Sequence, residues 1–169
     1  LDKSVVERRT KWLSDSGVKF HLKKEVGKHI SFQELEKDYD AILVATGVYK
    51  ARQLDIETKN IENSLPALEF LIESNRVGLG DIPSKNKFLD AKDKHVVVIG
   101  GGDTAMDCVR TAIRQKAKEV TCLYRRNKEN MPGSAREVLN AEQEGVKFNW
   151  LSVPSKIISQ DKFASSLAY

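Results

Sequence analysis

The sequence feature that most constrains the fold is a strand, glycine turn, helix and strand pattern over residues 95–126. The short β-branched run at 96–99 is typical of a parallel strand that is covered on both faces. Three glycines follow at 100–102, and from Asp103 the apolar residues recur with the period of a helix. A second apolar run at 120–124 completes a βαβ unit. The sequence therefore predicts an α/β domain of the Rossmann-like type, with a parallel sheet and the fingerprint G-x-G-x-x-A.

The glycine turn is a candidate site for a diphosphate group. Glycines let the backbone approach a ligand closely, and the unpaired amides at the start of a helix favour an anion. Ala105, in the third position of the fingerprint, keeps the helix close to the strand. Asp103 or Thr104 is expected to cap the helix. The residues expected to hold a pyrophosphate are Gly100, Gly101, Gly102, Asp103, Thr104 and Ala105.

The residues that follow the second strand indicate which dinucleotide is bound. An NAD site places an Asp or Glu about twenty residues after the glycines, where it binds the ribose 2′-hydroxyl. In this sequence the strand runs into Arg125 and Arg126, and Asn127 comes next. Two guanidinium groups suit a 2′-phosphate, so the sequence favours NADP(H). The alternative is a tight strand-to-helix turn beside a solvated basic patch.

Composition excludes several classes of protein. The 169 residues are 40% hydrophobic and 31% charged, as in a folded globular chain. The net charge of +4 comes from cations interleaved with acids, so it does not indicate a nucleic-acid partner. No run is apolar enough to span a membrane, and the histidines are too scattered to predict a metal site. Cys108 and Cys122 are expected to be free core thiols in a reducing, cytoplasmic compartment.

The N-terminal flank also has an α/β pattern. We predict a helix over 4–16 with Ser4 as its cap, and an alternating strand over 18–23. A capping box at Ser31 is expected to start a short helix. A buried strand over 40–46 then runs into a glycine turn. This flank therefore reads as half of an α/β layer.

The remaining segments extend the central unit. Pro66 is expected to begin a helix, and 75–93 is predicted to be a loop. A helix over 134–144, capped by Ser134, leads to a third strand over 146–151 beside the first two. The bare edge of that strand would allow self-association. The tail from Ser152 alternates weakly at Ile157 and Ile158 and then becomes polar, and we predict no element for it.

Four segments together resemble the small (beta) subunit of bacterial NADPH-dependent glutamate synthase. They are YDAILVATGVY at 39–49, VVVIGGGDTAMDCVR at 96–110, CLYRR at 122–126 and NMPGS at 130–134. The same module resembles the flavin–NADP part of dihydropyrimidine dehydrogenase and related ferredoxin:NADP oxidoreductases. Those enzymes are therefore alternatives, and a non-catalytic domain that serves as a subunit interface is a further one.

The resemblance implies a flavin domain that is interrupted by an NADP(H)-binding domain. Residues 1–50 would be a partial flavin-domain segment and 51–65 a linker. Residues 66–169 would be the NADP(H)-binding domain, incomplete at its C-terminus. Arg136, at the start of a later helix, is a further candidate for the nucleotide site. Three residues would form the turn where the chain crosses between the domains: Ala45, Thr46 and Gly47.

For the intact protein, the resemblance implies hydride transfer from NADPH to FAD. Electrons would then pass through 4Fe-4S clusters to a large (alpha) subunit that makes glutamate. The family's FAD fingerprint and cysteine clusters do not occur in these residues, so the fragment is expected to bind NADPH but to be inactive alone. Because hydride passes directly between the two cofactors, no catalytic side chain is predicted.

Overall fold

The computed structural model describes residues 2–47, 54–56, 61–83 and 85–169. Its contacts divide into two compact units, Leu1–Tyr49 and Lys50–Tyr169. Residues 51–53 and 57–60 of the predicted linker lie outside the described residues.

The first unit contains two helices. Helix α1 (Lys3–Asp15) begins after Asp2, whose carboxylate accepts a hydrogen bond of 2.9 Å from the amide of Ser4. The prediction of Ser4 as the cap was therefore wrong, because the acid two residues earlier takes that place. Helix α2 (Phe32–Asp38) begins with the predicted capping box at Ser31, which is confirmed.

The two strands predicted in this unit do not form. Residues 18–23 and 40–46 are irregular, and the described part of the unit contains only an isolated bridge between Val26 and Ile30. No described residue of the unit is buried, and Leu43 is 89% exposed. Both predictions were wrong because an apolar, β-branched segment becomes a strand only when a neighbouring strand pairs with its backbone.

The second unit contains the predicted parallel sheet, which confirms the α/β fold class. Strands β1 (His95–Ile99), β2 (Glu119–Leu123) and β3 (Lys147–Asn149) are parallel and lie in that order. The amide of Gly100 extends the β1–β2 ladder with a bond of 3.0 Å to the carbonyl of Leu123. The carboxyl ends of β1 and β2 are therefore side by side at one edge of the sheet.

Among the described residues, three α-helices accompany this sheet: α3 (Ala67–Gly78), α4 (Asp103–Arg114) and α5 (Ala135–Gln143). Helix α4 is central, because it contacts both of the other helices as well as β1 and β2. Helix α3 begins after Pro66, as predicted. It continues through 75–78, so the predicted loop was wrong for its first turn. Among the described residues, no helix is both long and apolar enough to cross a membrane.

The core lies between α4 and the sheet. Val109 and Cys122 are fully buried there, and Cys108 is 3% exposed. Both cysteines are free, which confirms the prediction of core thiols. Burial raises the pKa of each thiol to about 12. They are therefore protonated, unreactive packing groups at neutral pH.

The tail forms a hairpin that the sequence did not predict. Strands β4 (Lys156–Gln160) and β5 (Phe163–Ala168) are antiparallel. Asn63 anchors the hairpin, since its amide nitrogen donates to the carbonyl of Ala164 (3.1 Å) and its oxygen accepts from the amide of Ala164 (2.7 Å). The last part of the predicted linker is thus held against the hairpin.

An ion-pair network joins α4 to α5. The guanidinium of Arg110 donates to Glu144 at 2.7 and 2.9 Å and also pairs with Glu137. Arg114 donates to the same oxygen of Glu144 at 2.9 Å. The side chains of Arg110 and Glu144 are only 20% and 26% exposed. The hydrogen bonds from Arg110 hold the pKa of the Glu144 carboxyl below its usual range.

We expect Arg110→Met to lower the free energy of unfolding by about 2 kcal/mol at pH 7, because it leaves Glu144 half-buried without its main donor. Because folding lowers the pKa of Glu144, its ion pair stabilises the protein fully at pH values above the ordinary pKa of a glutamate. This stabilisation is lost as the pH falls through the lower pKa of the folded state. The difference between wild type and variant should therefore shrink in acid. Urea unfolding between pH 7 and pH 3, at about one-unit steps, measures it. A difference that is constant with pH would contradict this account, and Lys118→Met, which removes an exposed cation, is the control.

Candidate nucleotide-binding site

The three glycines after β1 have different roles. Gly100 has a φ of +143°, a backbone conformation that L side chains rarely adopt. A Cβ on Gly101 would lie 2.4 Å from two ring carbons of Tyr124, so only glycine fits against that ring. A Cβ on Gly102 would meet nothing within 4 Å. The turn is therefore packed from inside at Gly101 and open to a ligand at Gly102.

The amides of this turn form a potential anion site. No residue within the described ranges accepts a hydrogen bond from the amides of Gly101, Gly102, Asp103 or Thr104. Helix α4 begins after Gly102 without a side-chain cap, so the prediction that Asp103 or Thr104 caps it was wrong. Its partial positive charge is directed at the open side of the turn. Ala105 is 7% exposed, and its Cβ lies 3.7 Å from the position of a Cβ on Gly100, which brings helix and strand together.

The loop at residues 127–134 packs against the glycine turn. The amide of Gly133 donates to the carbonyl of Gly101 at 2.9 Å. A Cβ on Gly133 would lie 3.0 Å from that carbonyl oxygen, so a larger residue would require the turn and the loop to shift apart slightly. The hydroxyl of Tyr124, whose ring lies on Gly101, donates to the carbonyl of Asn130 at 3.0 Å. The loop is therefore fixed to the turn both through the backbone and through a buried tyrosine.

The carboxylate of Asp103 accepts a hydrogen bond of 2.9 Å from the amide of Ser134. Ser134 is the N-cap residue of α5, as predicted, although its side chain makes no cap hydrogen bond and its backbone amide forms the contact with Asp103. Sequence reasoning missed this contact because its partners are 31 residues apart. The only signal was the NMPGS segment, which belonged to the resemblance but had no assigned role.

Arg125 and Arg126 follow β2 at the same edge of the sheet as the glycine turn. Their backbone is fixed, since the carbonyl of Arg126 accepts from the amide of Leu151 at 3.1 Å. Both side chains are exposed, and no carboxylate among the described residues forms an ion pair with either. By contrast, the neighbouring Lys128 is paired with Glu142 at 2.7 Å. The two guanidinium groups are thus available to an anionic ligand.

The other predicted site residues lie elsewhere. Arg136 is exposed in the first turn of α5, two residues beyond Ser134. Three residues belong to the first unit, where they are exposed and form no helix or strand: Ala45, Thr46 and Gly47. Gly47 has a φ of +70°, which favours glycine. The described residues contain no group of three or more His, Cys, Asp or Glu side chains placed to hold a metal ion.

A glycine turn and exposed arginines at one edge of a parallel sheet are the arrangement expected in a dinucleotide-binding class of protein. A family model described as pyridine nucleotide-disulphide oxidoreductase matches residues 2–168. The chain belongs to this family.

The predicted resemblance to the small subunit of glutamate synthase is confirmed. The chain is 56% identical over 156 residues to the glutamate synthase [NADPH] small chain of Azospirillum brasilense, covering 91% of this chain and 32% of the relative. It is 53% identical over 161 residues to a putative glutamate synthase [NADPH] small chain of Cereibacter sphaeroides, covering 95% and 39%. The chain thus spans between about a third and two fifths of these relatives.

A solved structure of FprA from Mycobacterium tuberculosis has a similar fold. The TM-score is 0.69, at 18% sequence identity, and the match covers 98% of this chain and 50% of FprA. At this identity the likeness supports the fold alone.

Proposed function

We propose that this chain is the NADPH-binding part of a glutamate synthase small subunit. The observation that carries the proposal is that four amides and two arginines without partners in the described part of the chain follow neighbouring strands at one edge of the sheet. The names of the relatives, which specify NADPH, support it.

In this proposal the glycine turn binds the pyrophosphate. The amides of Gly101, Gly102, Asp103 and Thr104 would donate to its oxygens, and the α4 dipole would add to the attraction. The absence of a side chain at Gly102 leaves room for the phosphates to approach the backbone. Gly100 and Ala105 would shape the turn without contacting the ligand through their side chains.

Arg125 and Arg126 would bind the 2′-phosphate of the adenosine half. Each guanidinium presents several donors in a plane, and a phosphate monoester accepts them at two oxygens. Residues 124–127, directly after the second strand, include no acid that would bind a ribose 2′-hydroxyl in their place. Arg136 is a further candidate for this phosphate.

The role of these residues is to bind and orient the dinucleotide. When bound, NADPH would supply hydride to a flavin, and that chemistry belongs to the cofactors. A side-chain acid or base is not needed for direct hydride transfer, so we assign no catalytic residue.

We propose further that residues 1–50 form part of an FAD-binding domain. The unit buries no described side chain, and its apolar segment at 40–46 has no partner strand among the described residues. Both observations fit a segment that is completed by sequence outside this chain. Ala45, Thr46 and Gly47 would form the crossing to the NADP(H)-binding domain, which we place at 66–169.

The whole protein would pass electrons from FAD through 4Fe-4S clusters to a large (alpha) subunit in the cytoplasm. An NADPH-oxidation assay distinguishes this electron acceptor from the alternatives. NADPH oxidation by the whole protein with its large subunit should depend on both 2-oxoglutarate and glutamine. Oxidation that depends instead on a pyrimidine or a ferredoxin would assign the same module to another enzyme.

Calorimetric titration of the protein with NADPH and with NADH tests the nucleotide site. We expect NADPH to bind at least about tenfold more tightly, the equivalent of one charge-assisted hydrogen bond. Equal affinities would contradict the role of the arginines. No binding of either nucleotide by a chain whose circular dichroism shows the α/β fold would favour the interface alternative.

A further inference from the structure

We infer that Leu151 is a positioning residue for the proposed NADPH site, because its left-handed backbone directs an amide at the chain that carries the two arginines. The inference rests on the proposed function and adds the element on which the preference for NADPH over NADH depends. The role belongs to the backbone amide of Leu151 and not to its side chain.

The turn at residues 149–152, which follows β3, holds the end of β2. The amide of Tyr124 donates to the carbonyl of Asn149 at 3.0 Å, and the amide of Ser152 donates to the carbonyl of Tyr124 at 3.0 Å. Both bonds continue the pairing of β2 with β3 beyond the last residues of the two strands. Tyr124, which directly precedes the arginines, is therefore fixed through both its amide and its carbonyl.

The third bond of this turn reaches Arg126 itself. The amide of Leu151 donates to the carbonyl of Arg126 at 3.1 Å. Among the described residues, this is the only backbone hydrogen bond that either arginine makes. Without it, the two residues would be held only through the covalent chain on either side of them. The bond therefore determines the place from which both guanidinium groups extend.

The conformation of Leu151 is unusual and fits this role. Its φ is +54°, in the left-handed region that residues other than glycine, asparagine and aspartate rarely adopt. Its side chain is 75% exposed, so packing does not hold the residue in this conformation. The two hydrogen bonds from Leu151 and Ser152 are what the left-handed backbone gains. Strained backbone of this kind persists only where the surrounding structure determines it.

Trp150 anchors the turn on the preceding side. Its ring stacks on Phe148 with the centroids 4.9 Å apart, and it meets the ring of Tyr124 edge-on at 6.4 Å. Its carbonyl accepts from the hydroxyl of Ser152 at 3.0 Å. The residues on both sides of Leu151 are thus held, so Leu151 cannot relax to a negative φ without breaking contacts around it.

This arrangement predicts which affinity depends on the turn. NADH and NADPH share the diphosphate, and only NADPH carries the 2′-phosphate. A change that displaces the arginines from the glycine turn should therefore weaken NADPH and spare NADH. A general loss of folding would weaken both nucleotides, so the ratio of the two dissociation constants separates positioning from stability.

The direct test removes the amide of Leu151 alone. Cell-free synthesis that inserts the α-hydroxy analogue of leucine at 151 replaces the N–H by an ester oxygen and keeps the side chain. We expect the preference for NADPH to fall about tenfold, the loss of about one charge-assisted hydrogen bond, with NADH affinity within about twofold of wild type. Fluorescence titration with each nucleotide measures the ratio. The same replacement at Val153, whose amide donates to no described residue, is the control.

Ordinary substitutions test the conformation of the turn. Leu151→Gly should keep the ratio within about twofold, because glycine adopts a positive φ without strain. Leu151→Val should lower the preference as the ester does, because a β-branched residue disfavours this conformation most strongly. Hydrogen exchange of the amide at 151 should accordingly be slow in wild type and in Leu151→Gly, and fast in Leu151→Val.

Lys116→Val is the matched control for strain. Lys116 is also exposed and left-handed, with a φ of +65°, but it precedes β2 and so lies at the opposite edge of the sheet. Valine should destabilise the protein there as it does at 151. The ratio of the dissociation constants for NADPH and NADH should nevertheless stay at its wild-type value.

Several results would overturn the inference. One is an ester at 151 that keeps the wild-type ratio, whatever the valine variant does. Another is that Leu151→Gly loses the preference as Leu151→Val does, and a third is that the ester weakens NADPH and NADH by the same factor. A wild-type protein without any preference for NADPH would instead overturn the proposed function. A preference that Arg125→Ala/Arg126→Ala abolishes but the ester preserves would reject only the role of Leu151.

Discussion

Replacing both Arg125 and Arg126 by alanine is expected to weaken NADPH binding about 100-fold, which corresponds to about 2.8 kcal/mol, and to leave NADH binding within a factor of about two. The physical reason is that both guanidinium groups are exposed and unpaired among the described residues, so their removal breaks no internal contact. Only the affinity for the nucleotide with a 2′-phosphate, NADPH, should therefore fall. Calorimetric titrations of wild type and variant with both nucleotides measure it.

The general effect of positive charge must be separated from specific binding. Lys92→Ala/Lys118→Ala is the matched control, because it removes two exposed cations from the segments that precede β1 and β2, at the opposite edge of the sheet. It should change NADPH affinity less than about twofold at physiological salt, where charges more than about 8 Å apart are largely screened. If the control variant loses as much NADPH affinity as the double arginine variant, NADPH binding depends only on the net charge of the protein.

Single and conservative variants make the first prediction sharper. Arg125→Lys/Arg126→Lys keeps both charges but not the planar donor pattern, so we expect an affinity between those of wild type and the double alanine variant. The NADPH affinity of each single alanine variant shows how the two arginines share the phosphate. If both singles match wild type, Arg136→Ala identifies whether that exposed residue is the actual phosphate ligand.

Gly101→Ala is the second large effect, and it acts on folding. The new Cβ would lie 2.4 Å from the ring of Tyr124, which is only 7% exposed and is tied through its hydroxyl to Asn130. The ring therefore cannot move aside without displacing the loop. We expect the free energy of unfolding to fall by about 3 kcal/mol, the upper range for overpacking a core. Urea unfolding followed by circular dichroism measures it.

Gly102→Ala provides the comparison at the next residue. Its Cβ would meet nothing within 4 Å, and its φ of −87° suits alanine, so stability should fall by no more than about 1 kcal/mol. Its NADPH affinity should nevertheless fall about tenfold, because the methyl group occupies the space through which the diphosphate approaches. Gly101→Ala should thus mainly lower stability, whereas Gly102→Ala should mainly lower NADPH affinity. Equal losses of stability in both variants would contradict this assignment.

The cause of the Gly101→Ala effect can be isolated with a second substitution. Tyr124→Leu shortens the side chain that the new methyl group would strike. The double variant should be less destabilised than the sum of the two singles, by about 1 kcal/mol or more, because the clash is absent when the ring is absent. Additive losses would mean that the backbone of the turn, not the ring, rejects the alanine.

The central part of the fold could be predicted because its signals are local. The β-branched run at 96–99, the glycines at 100–102 and the helical period after them are contiguous, and β1, α4 and β2 form where they were expected. The third strand also lies beside β2, although it ends at Asn149 and is shorter than predicted. In each case a parallel strand has a covering helix in the same chain.

The predictions that were wrong or missing concern segments whose sequence carries no such local signal. The segment at 40–46 has the composition of a buried strand, but strand formation depends on a neighbour that the described residues do not provide. The hairpin was missed for a different reason. Its turn uses Asp161 and Lys162, with φ of 48° and 70°, where glycine or asparagine would have signalled it.

The candidate site divides in the same way. The turn residues and the two arginines are read from one continuous stretch, so their grouping at one edge of the sheet follows from the βαβ order. The contacts from the 127–134 loop do not follow from it. A backbone amide has no sequence signature, and neither the bond from Gly133 to Gly101 nor that from Ser134 to Asp103 leaves a pattern in the sequence.

The position of Tyr124 has a consequence for redesign. The buried side chain of Tyr124 directly follows β2, and the next two residues, Arg125 and Arg126, are exposed to solvent. Surface substitutions of this kind change stability by only about 0.5 kcal/mol. Coenzyme choice in this scaffold should therefore be exchangeable at 125 and 126 without re-engineering the sheet, for example by installing an acid to accept the ribose hydroxyl of NADH.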